Sequence, residues 1–331
     1  MKKALITGGA GFVGAYLAKR LLAEDYRLDL VDDFSRGTKD AMLDALEETG
    51  RVRLLERDLR EGGALADADT DYDAIFHLAS IVGVASVLER AYEVLRDNIA
   101  MTDQALALAR SQSRPPRFVF ASTSEVYSGT LENFELPIPT PESTPLAVAD
   151  LSHARTSYML SKIYGEAMCH QAGVPFTIIR PHNLYGPRMG TSHVIPELLQ
   201  RGHFAPDGGS LNVFSVDHRR TFCYIDDAVE IVVRAAESPQ CAGRTLNVGR
   251  DQEEVSIAEL AALIVKVLRK DLRIVPMPPT PGSPARRCPD ITTTTALTGY
   301  RPVTALRAGL EATYDAYRRD VFKPAAEVGS R

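Results

Sequence analysis

The feature that most constrains this chain is a glycine-rich loop near its start, set between a strand-like stretch and a helical pattern. The loop reads TGGAGFVG, and Gly8, Gly11 and Gly14 follow one another at intervals of three residues. Residues 3–7 are typical of a short buried strand, and apolar residues at helical spacing follow over residues 12–24. Glycines in such a turn let the backbone approach a pyrophosphate, to which the helix N-terminus offers free N–H groups. The pattern predicts a dinucleotide-binding βαβ unit.

A second dinucleotide signal is a carboxylate at the end of the next predicted strand, residues 27–31. Asp32 lies eighteen residues after Gly14. A carboxylate in this position accepts hydrogen bonds from the adenosine ribose and repels a 2′-phosphate, so it favours NAD over NADP as cofactor. The alternative for Asp32 is an ordinary solvated turn. Asp58 follows the third predicted strand and is a candidate contact for the adenine.

Alternating strand and helix patterns fill the first half of the chain. Strand candidates at 52–55, 74–78, 117–121 and 175–180 are separated by helical stretches such as 157–171. Parallel strands need crossover helices, which then cover both faces of the sheet. The sequence therefore predicts an α/β fold with a doubly wound parallel sheet.

Composition argues against several broad classes of protein. The 331 residues carry a net charge of −5, which argues against a general nucleic-acid binder. The apolar run at the N-terminus ends at Gly8, and no stretch approaches the roughly 20 apolar residues of a membrane span. The four cysteines lack metal-ligand spacing. We therefore expect reduced thiols, no metal, no membrane partner and a cytoplasmic protein.

Tyr158 and Lys162 form the candidate catalytic pair. They are four residues apart in a predicted helix, so they lie on one face, one turn apart. Because an ammonium stabilises a nearby phenolate, we expect Lys162 to lower the pKa of Tyr158 and let it act as a base. Thr123 follows the strand at 117–121, at the edge of a parallel sheet where ligands bind. There it can hydrogen-bond the substrate hydroxyl whose proton Tyr158 removes.

Eight motifs, spread over almost the whole chain, carry a resemblance to a known family. They are TGGAGFVG (7–14), VDDFSRG (31–37), HLAS (77–80), ASTSEVY (121–127), YMLSK (158–162), RPHNLYGPR (180–188), RRTFCYIDDAV (219–229) and RRCPDI (286–291). The chain resembles the extended short-chain dehydrogenases/reductases, in the branch of NAD-dependent nucleotide-sugar epimerases and dehydratases. The resemblance implies a tightly bound NAD that oxidises a sugar at C4. The motifs together are specific for the family and much less so for the reaction.

The resemblance also implies a role for each matching residue. Tyr158 is the base, Lys162 tunes it and holds the nicotinamide ribose, and Thr123 orients the 4-hydroxyl. The residues implied to bind NAD are Gly8, Gly11, Phe12, Val13, Gly14, Asp32, Asp58, Leu59, Leu78, Ala79, Ser80, Tyr158 and Lys162. Those implied to bind a nucleotide-diphosphate sugar are Ser124, Asn183, Arg188, Arg220 and Arg287. A planar, permanently charged guanidinium suits Arg220 and Arg287 to the diphosphate.

Glu125, implied to be catalytic, separates this chain from simple 4-epimerases, which carry a small or neutral residue there. STSE resembles the UDP-glucuronate decarboxylases and the GDP-mannose-type 4,6-dehydratases, and Arg155 echoes an arginine of the decarboxylase-like branch. A carboxylate near C4–C6 can act as a base at C5 or steer a C6 carboxylate. The alternative for Glu125 is the cap of a turn. His182 replaces the usual aromatic residue before Asn183, and Ser128 replaces a glycine.

Beyond residue 180 the pattern loosens, and residues 181–209 are rich in proline and glycine, which indicates irregular structure. From the resemblance we expect a smaller C-terminal α/β lobe that binds substrate. We expect residues 1–180, with a return segment at about 211–248, to form an NAD-binding Rossmann domain. Residues 181–210 and 249–322 are expected to form the nucleotide-sugar-binding lobe.

The reaction stays open at this point. The preferred interpretation is a 4-epimerase or decarboxylase of a UDP-uronate or nucleotide hexose, and 4,6-dehydration is the alternative. A non-catalytic NAD-binding regulatory protein and an alcohol dehydrogenase that releases NADH are the rival classes. The resemblance implies a homodimer, formed through the predicted helices at 86–110 and 152–172.

Overall fold

The computed structural model describes residues 1–148, 150–280 and 284–322, in which strands and helices alternate along most of the chain. The strands are β1 (Lys2–Thr7), β2 (Tyr26–Asp32), β3 (Val52–Glu56), β4 (Ala74–His77), β5 (Arg117–Ala121), β6 (Phe176–Pro181), β7 (Leu184–Tyr185), β8 (Ser210–Phe214), β9 (Arg219–Arg220), β10 (Cys223–Tyr224), β11 (Arg244–Val248), β12 (Val255–Ser256), β13 (Arg273–Met277) and β14 (Arg286–Arg287). The helices are α1 (Phe12–Ala23), α2 (Ala41–Glu47), α3 (Val84–Glu89), α4 (Ala91–Ser111), α5 (Ser128–Asn133), α6 (Ala154–Gln171), α7 (Val194–Phe204), α8 (Ile225–Glu237), α9 (Ile257–Leu268), α10 (Thr292–Thr298) and α11 (Leu306–Asp320). A short 3-10 helix covers Ser124–Tyr127.

Seven strands form one parallel sheet in the order β11-β6-β5-β4-β1-β2-β3. The chain runs outward from β1 in one direction through β2 and β3, and in the other through β4, β5 and β6. In such a sheet the crevice for a ligand opens at the carboxyl ends of the strands, where the order reverses. The predicted α/β fold with a doubly wound parallel sheet is confirmed.

Helices cover both faces of this sheet, which is why its strands are apolar almost throughout. Leu5, Ile6 and Ala4 in β1 are fully buried. Helices α1 and α8 pack together and share one core cluster with the side chains on one face of the sheet. Helices α4 and α6 pack together and share a second core cluster with the side chains on the other face. A strand buried on both faces has no polar side in its sequence.

The second half of the chain adds a smaller set of short strands and helices. Strand β8 pairs with β13, β9 lies between β12 and β14, and α7, α9 and α11 surround a separate apolar cluster that includes Leu199, Leu260 and Leu310. This is the smaller C-terminal α/β lobe. Of the return segment expected at 211–248, α8 and β11 belong to the layers of the large sheet, while β8 pairs with β13. The proposed division into two domains stays a prediction.

One local expectation needs correction. The helix predicted at 86–110 is divided between α3 and α4, because Arg90 between them has φ −136° and ψ 49°, outside the helical region.

The described residues lack two features that are typical of other protein classes. None of their helices is both long enough and apolar enough to cross a membrane. The same residues hold no group of three or more His, Cys, Asp and Glu side chains placed to bind a metal. All four cysteines are buried free thiols.

Candidate active site

The expected cofactor and catalytic residues follow neighbouring strands of the large sheet. Gly8 comes directly after β1, Asp32 ends β2, Leu78 follows β4, Thr123 follows β5 and Asn183 follows β6. Because all these strands are parallel, their carboxyl ends lie along one edge of the sheet. The structure thus brings residues from distant parts of the sequence to one cleft.

The glycine loop forms a close-packed cradle at this edge. Gly8 has φ +70°, and a Cβ added there would lie 2.9 Å from the backbone nitrogen of Ala79. A Cβ on Gly14 would lie 2.1 Å from the carbonyl oxygen of Gly8, so only glycine lets α1 begin this close to β1. The first-turn amides of α1, beginning at Phe12, have no acceptor within the helix. This backbone fits a dinucleotide pyrophosphate, which needs close approach and free N–H donors.

Asp32 is buried beneath the same loop. One oxygen of its carboxylate accepts the Ala10 N–H at 2.9 Å, and the other accepts the Phe34 N–H at 2.9 Å. Burial raises the pKa of Asp32, and these two backbone hydrogen bonds oppose the rise. The carboxylate is therefore rigidly placed, as a contact for ribose hydroxyls requires.

The residues after β3 are arranged differently. Arg60 grips both carboxylate oxygens of Asp58, with Nε and Nη2 donating at 2.8 and 2.6 Å. Hydrogen bonding to Arg60 is the main cause that holds the pKa of Asp58 below its ordinary value. The Leu59 side chain is buried, and its carbonyl oxygen accepts a hydrogen bond from Gln104. At Asp58 an adenine would therefore meet a carboxylate already engaged by a guanidinium.

An apolar cavity of about 90 Å³ lies between the glycine loop and the ends of β5 and β6. Its lining includes Val13 and Leu78, two of the residues expected to contact NAD, together with Ala121, Pro181 and Leu184. The cavity has almost no polar surface, so it suits an uncharged part of a ligand.

Asn98 in α4 was not singled out by the sequence. Its side-chain oxygen accepts hydrogen bonds from Ser80 Oγ at 3.2 Å and from the Ile81 N–H at 2.7 Å. Its amide nitrogen donates to Ser161 Oγ on α6 at 3.2 Å. Asn98 thereby fixes the loop after β4 to the helix of Tyr158. The available signal was an asparagine inside a long helix, where this residue type is disfavoured unless its side chain has a purpose.

Lys162 is buried on α6 and donates from Nζ to the Ala121 carbonyl oxygen at 2.8 Å. Its Nζ lies 5.9 Å from the ring centroid of Tyr158. Burial lowers the pKa of Lys162 to about 8, and the interactions with Cys169 and Glu166 only partly oppose this. The ammonium is thus tied to the end of β5 beside the phenol ring.

The Tyr158 hydroxyl lies among groups of both charges. Burial, and then the negative charge of Glu125, raise its pKa to about 12. Hydrogen bonding with Thr123 and Ser80 and the charge of Arg36 act in the opposite direction. The expectation that Tyr158 has a lowered pKa is therefore wrong for the protein alone, because burial outweighs the stabilising groups.

Glu125 forms an ion pair with Arg287, from Oε1 to Nη1 at 2.9 Å. Ser128 Oγ donates to the other carboxylate oxygen at 3.2 Å. Burial raises the pKa of Glu125. The charges of Arg287 and Arg155 and the hydrogen bond from Ser128 lower it by more than burial raises it, so the net shift is downward. The side chain is 42% exposed, towards the cleft. The cap of this turn is Thr123, whose Oγ1 accepts the Glu125 N–H at 3.2 Å, so the Glu125 carboxylate itself does not cap it.

The two arginines expected at the diphosphate lie side by side. Arg220 of β9 pairs in register with Arg287 of β14. Burial, and then the charge of Arg287, lower the pKa of Arg220 to about 10. Glu125 is the carboxylate paired with Arg287, while Glu254 pairs with Arg286. The two guanidiniums therefore lie next to each other, an arrangement that an anionic ligand would stabilise.

Arg188 lies in another part of the cleft from these arginines. Its Nη2 donates to the carbonyl oxygens of Ala10 and Thr38, both at 3.0 Å, and its Nη1 lies 3.2 Å from Asp40. These partners belong to the glycine loop and to the loop after β2. The contacts place Arg188 beside the cofactor cradle, so its expected role in substrate binding has no support from its position.

The remaining substrate candidates sit between the two halves of the molecule. Asn183 has φ +43°, and its amide nitrogen donates to the Thr221 carbonyl oxygen at 3.0 Å. This bond joins the end of β6 to the residue directly after Arg220. Ser124 is buried at the start of the 3-10 helix.

His182, the departure from an aromatic residue, joins a buried polar network behind the cleft. Its Nε2 lies 3.0 Å from the side-chain oxygen of Asn247, which also accepts the Tyr127 hydroxyl at 3.0 Å. Arg180 donates to Tyr127 at 2.7 Å and forms a buried ion pair with Glu166 at 2.6 Å. Burial lowers the pKa of His182 to about 3, so the ring is neutral. The network ties β6 and β11 to α6.

Comparison with known proteins gives consistent results. Over 331 aligned residues, the chain is 31% identical to the UDP-N-acetyl-alpha-D-glucosaminuronate decarboxylase of Bacillus cytotoxicus, covering 96% of this chain and 98% of that protein. It is 30% identical to UDP-glucuronic acid decarboxylase 1 of Xenopus tropicalis, covering 97% of this chain and 73% of that protein. The crystal structure of UDP-glucuronic acid 4-epimerase from Bacillus cereus, in complex with UDP-glucuronic acid and NAD, matches with a TM-score of 0.81 and 27% identity, over 96% of this chain and 99% of that chain.

A family description matches most of the chain. Residues 4–249 match the NAD dependent epimerase/dehydratase family, a range that holds the glycine loop, Thr123, Tyr158 and Lys162. The match and the relatives confirm the expected enzyme class and NAD as the cofactor. The chain belongs to the NAD-dependent epimerase/dehydratase family.

Proposed function

We propose that this enzyme decarboxylates a UDP-linked uronic acid after oxidising it at C4. Two relatives that align with nearly the whole chain are named as decarboxylases of UDP-linked uronic acids. A solved relative binds UDP-glucuronic acid together with NAD. A uronic acid has its carboxylate at C6, two bonds from C4, the carbon that is oxidised.

The observation that carries this proposal is the Glu125–Arg287 ion pair beside Tyr158. The pair holds its two charges 2.9 Å apart at the cleft. Glu125 is close enough to Tyr158 to raise its pKa, so both side chains act on one small region. A sugar whose C4 hydroxyl faces Tyr158 would therefore present C5 and C6 to the ion pair.

The first step removes a proton from the 4-hydroxyl and a hydride from C4. Tyr158 accepts the proton of the 4-hydroxyl, and Thr123 hydrogen-bonds that hydroxyl to orient it. NAD, when bound, supplies the hydride acceptor and a positive ring that favours the phenolate. Lys162 adds the charge of an ammonium held on the Ala121 carbonyl oxygen. The product of this step is a 4-ketone.

The second step breaks the bond between C5 and C6. The C4 ketone makes the uronate a β-keto acid, and CO2 leaves as the electron pair of the broken bond moves to the C4 oxygen. A proton then adds at C5 to restore the ketone. Return of the hydride to C4, and of the Tyr158 proton to the C4 oxygen, would leave a 4-hydroxyl product that has lost only CO2. A fixed negative charge on Glu125 disfavours a carboxylate at C6 more than it disfavours neutral CO2, so it promotes this loss. Arg287 keeps Glu125 ionised and offers the substrate carboxylate a cation while it binds.

The nucleotide diphosphate is proposed to lie against Arg220, with Asn183 nearby. Arg220 is buried next to a second guanidinium, which makes an anion the most favourable neighbour. The arrangement leaves Arg188 on the cofactor side of the cleft.

A second candidate is 4-epimerisation of the same uronic acid. It is favoured by the similarity to the Bacillus cereus 4-epimerase. Epimerisation shares the first step but requires the 4-ketone to turn its other face to the cofactor while the carboxylate is retained. Dehydration, the third possibility, requires a C6 hydroxyl as leaving group and a base at C5.

The test is product mass after incubation with UDP-, GDP-, CDP- and dTDP-linked sugars, including UDP-glucuronic acid and its N-acetylated amino-sugar analogue. The proposal predicts a product lighter by CO2 from a UDP-linked uronic acid. No change in mass with an altered C4 configuration would establish epimerisation instead. Loss of water from a neutral hexose would establish dehydration.

The enzyme is proposed to act as a homodimer in the cytoplasm. Leu88, Tyr92 and Tyr164 are large apolar side chains exposed on α3, α4 and α6, within the two segments expected at the interface. Four buried free thiols suit a reducing compartment. Sedimentation should give a dimer for the wild type and a monomer for the Tyr92→Glu/Tyr164→Glu double variant. A monomeric wild type would contradict the proposal.

A further inference from the structure

Arg36 reaches across the cofactor crevice. It lies in the loop after β2, yet its Nη1 donates to the Val82 carbonyl oxygen, in the loop after β4, at 2.6 Å. In the sheet, β1 lies between β2 and β4. The two outer strands are about 10 Å apart, twice the usual spacing between neighbours. The side chain must therefore pass over the carboxyl end of β1, where the glycine loop begins.

The base of this side chain is held against the glycine loop. A Cβ added to Gly37 would lie 2.7 Å from the Ala10 Cβ and 2.7 Å from Asp32 Oδ1, so the backbone beside Arg36 packs directly on both residues. Arg36 as a whole residue is exposed. Its position is thus set by a packed loop, while the residue stays accessible to a ligand.

The charge of Arg36 influences the pKa values of two residues inside the cleft. Burial raises the pKa of Tyr158, on the catalytic side, and the charge of Arg36 opposes that rise. Burial lowers the pKa of His193, directly before α7, and the charge of Arg36 adds to that fall. Those two residues belong to different halves of the molecule, so Arg36 is close enough to both halves to act on each.

We propose that Arg36 binds the diphosphate of NAD and closes over the cofactor from the side opposite to the glycine loop. In the described part of the chain, its hydrogen bonding is through Nη1 to Val82. A guanidinium has five N–H donors, so the others can reach phosphate oxygens without breaking that bond. The nucleotide sugar also carries a diphosphate, but the position over β1 assigns Arg36 to NAD. The inference rests on NAD as cofactor and not on the proposed reaction.

The test compares Arg36→Gln with Lys39→Gln, a matched control in the same loop. Lys39 is a cation whose Nζ bonds Glu56 at 3.0 Å and lies over the Phe34 ring, away from the crevice. Release of NAD from each purified holoenzyme is followed without sugar substrate, by trapping the free cofactor. UDP is titrated separately. Arg36→Gln should release NAD at least about tenfold faster, the effect of one charge-assisted hydrogen bond, and bind UDP normally. Lys39→Gln should match the wild type in both.

Three results would overturn the inference. They are unchanged NAD release in Arg36→Gln, an equal acceleration in Lys39→Gln, or a loss of UDP affinity with NAD release unchanged. Arg36→Lys should fall between the wild type and Arg36→Gln, because it keeps the charge and loses the planar fork. Since no sugar is turned over, these outcomes do not depend on whether the enzyme releases CO2.

Discussion

The cleft holds two pairs of a cationic and an acidic side chain, and the pKa values of the two acidic groups are shifted in opposite directions. Lys162 donates to a backbone carbonyl, and burial leaves the neighbouring Tyr158 with a pKa of about 12. Arg287 bonds Glu125 directly and helps to hold the pKa of that carboxyl below its ordinary value. The first pair lies in the Rossmann half, one helical turn apart, and the second joins β14 to the turn after β5.

Only the second pair has its acidic member ionised before ligands bind. Glu125 is ionised in the protein itself, since its counter-ion is part of the structure. Tyr158 requires a further positive charge to ionise, which the cofactor can supply. We infer that proton removal is coupled to the presence of NAD, whereas the electrostatic effect on C6 is permanent.

The largest expected effect is that of removing the phenol hydroxyl. Tyr158→Phe should lower turnover at least about a thousandfold, because the variant lacks the oxygen that is proposed to accept the proton of the 4-hydroxyl, while NAD stays bound. Tyr164→Phe, exposed on the same helix, is the control and should keep its activity. Product formation and NAD content measured on both variants decide the matter. A loss below about tenfold in Tyr158→Phe would mean that the base lies elsewhere.

Neutralising Glu125 should separate the two steps. Glu125→Gln keeps the shape of the side chain and removes its charge, so CO2 release should fall about a hundredfold. C4 oxidation should persist, because the variant also removes a charge that opposes the phenolate, and NADH should accumulate in the absorbance spectrum. Glu132→Gln on the exposed face of α5 is the control. Undiminished CO2 release in Glu125→Gln would refute the assignment.

The burial of Lys162 should make the free energy of unfolding depend on pH. Its pKa falls from 10.5 to about 8 on folding, so the unfolded chain binds more protons than the native protein between these values. The wild type should therefore gain about 2 to 3 kcal/mol of unfolding free energy relative to Lys162→Met as pH rises from about 8 to about 10. Urea unfolding at both pH values measures this. An unchanged difference would show that Lys162 is not buried as a cation.

Breaking the second pair should shift a pH profile. Without Arg287 the main charge that lowers the Glu125 pKa is lost, so Glu125 should become protonated at a higher pH. In Arg287→Gln the acid limb of CO2 release should move upward by about one to two pH units. The pH dependence of kcat checks this, and kcat is chosen because weaker substrate binding affects KM. An acid limb that stays in place would show that Arg287 does not control the ionisation of Glu125.

The features that depend on residues close together in the chain could be predicted from the sequence. The glycine loop, Asp32 and the Tyr158/Lys162 spacing each depend on residues within one βα unit or one helix, and the parallel sheet follows from the alternation of elements. The roles assigned to these residues stay predictions. The direction of the Tyr158 pKa could not be predicted, because the depth of burial arises only when α6 packs on β5.

The contact between Glu125 and Arg287 on the sugar side of the cleft could not be predicted from the sequence, for a physical reason. Glu125 and Arg287 are separated by 162 residues and meet because β14, two residues long, pairs with β9. Strands this short have no readable periodicity. The position of Arg188 was missed for the same reason, since its contacts with Ala10 and Asp40 depend on the fold of a distant loop.

The most direct test follows the C6 carbon itself. UDP-glucuronic acid labelled with 13C at C6 is incubated with the wild-type holoenzyme, and the label is followed by NMR. If the ion pair acts on a carboxylate after Tyr158 has initiated C4 oxidation, the label should leave the sugar and appear as CO2 and bicarbonate. Label that stays on a sugar of altered C4 configuration would contradict decarboxylation and leave Glu125 without its proposed purpose.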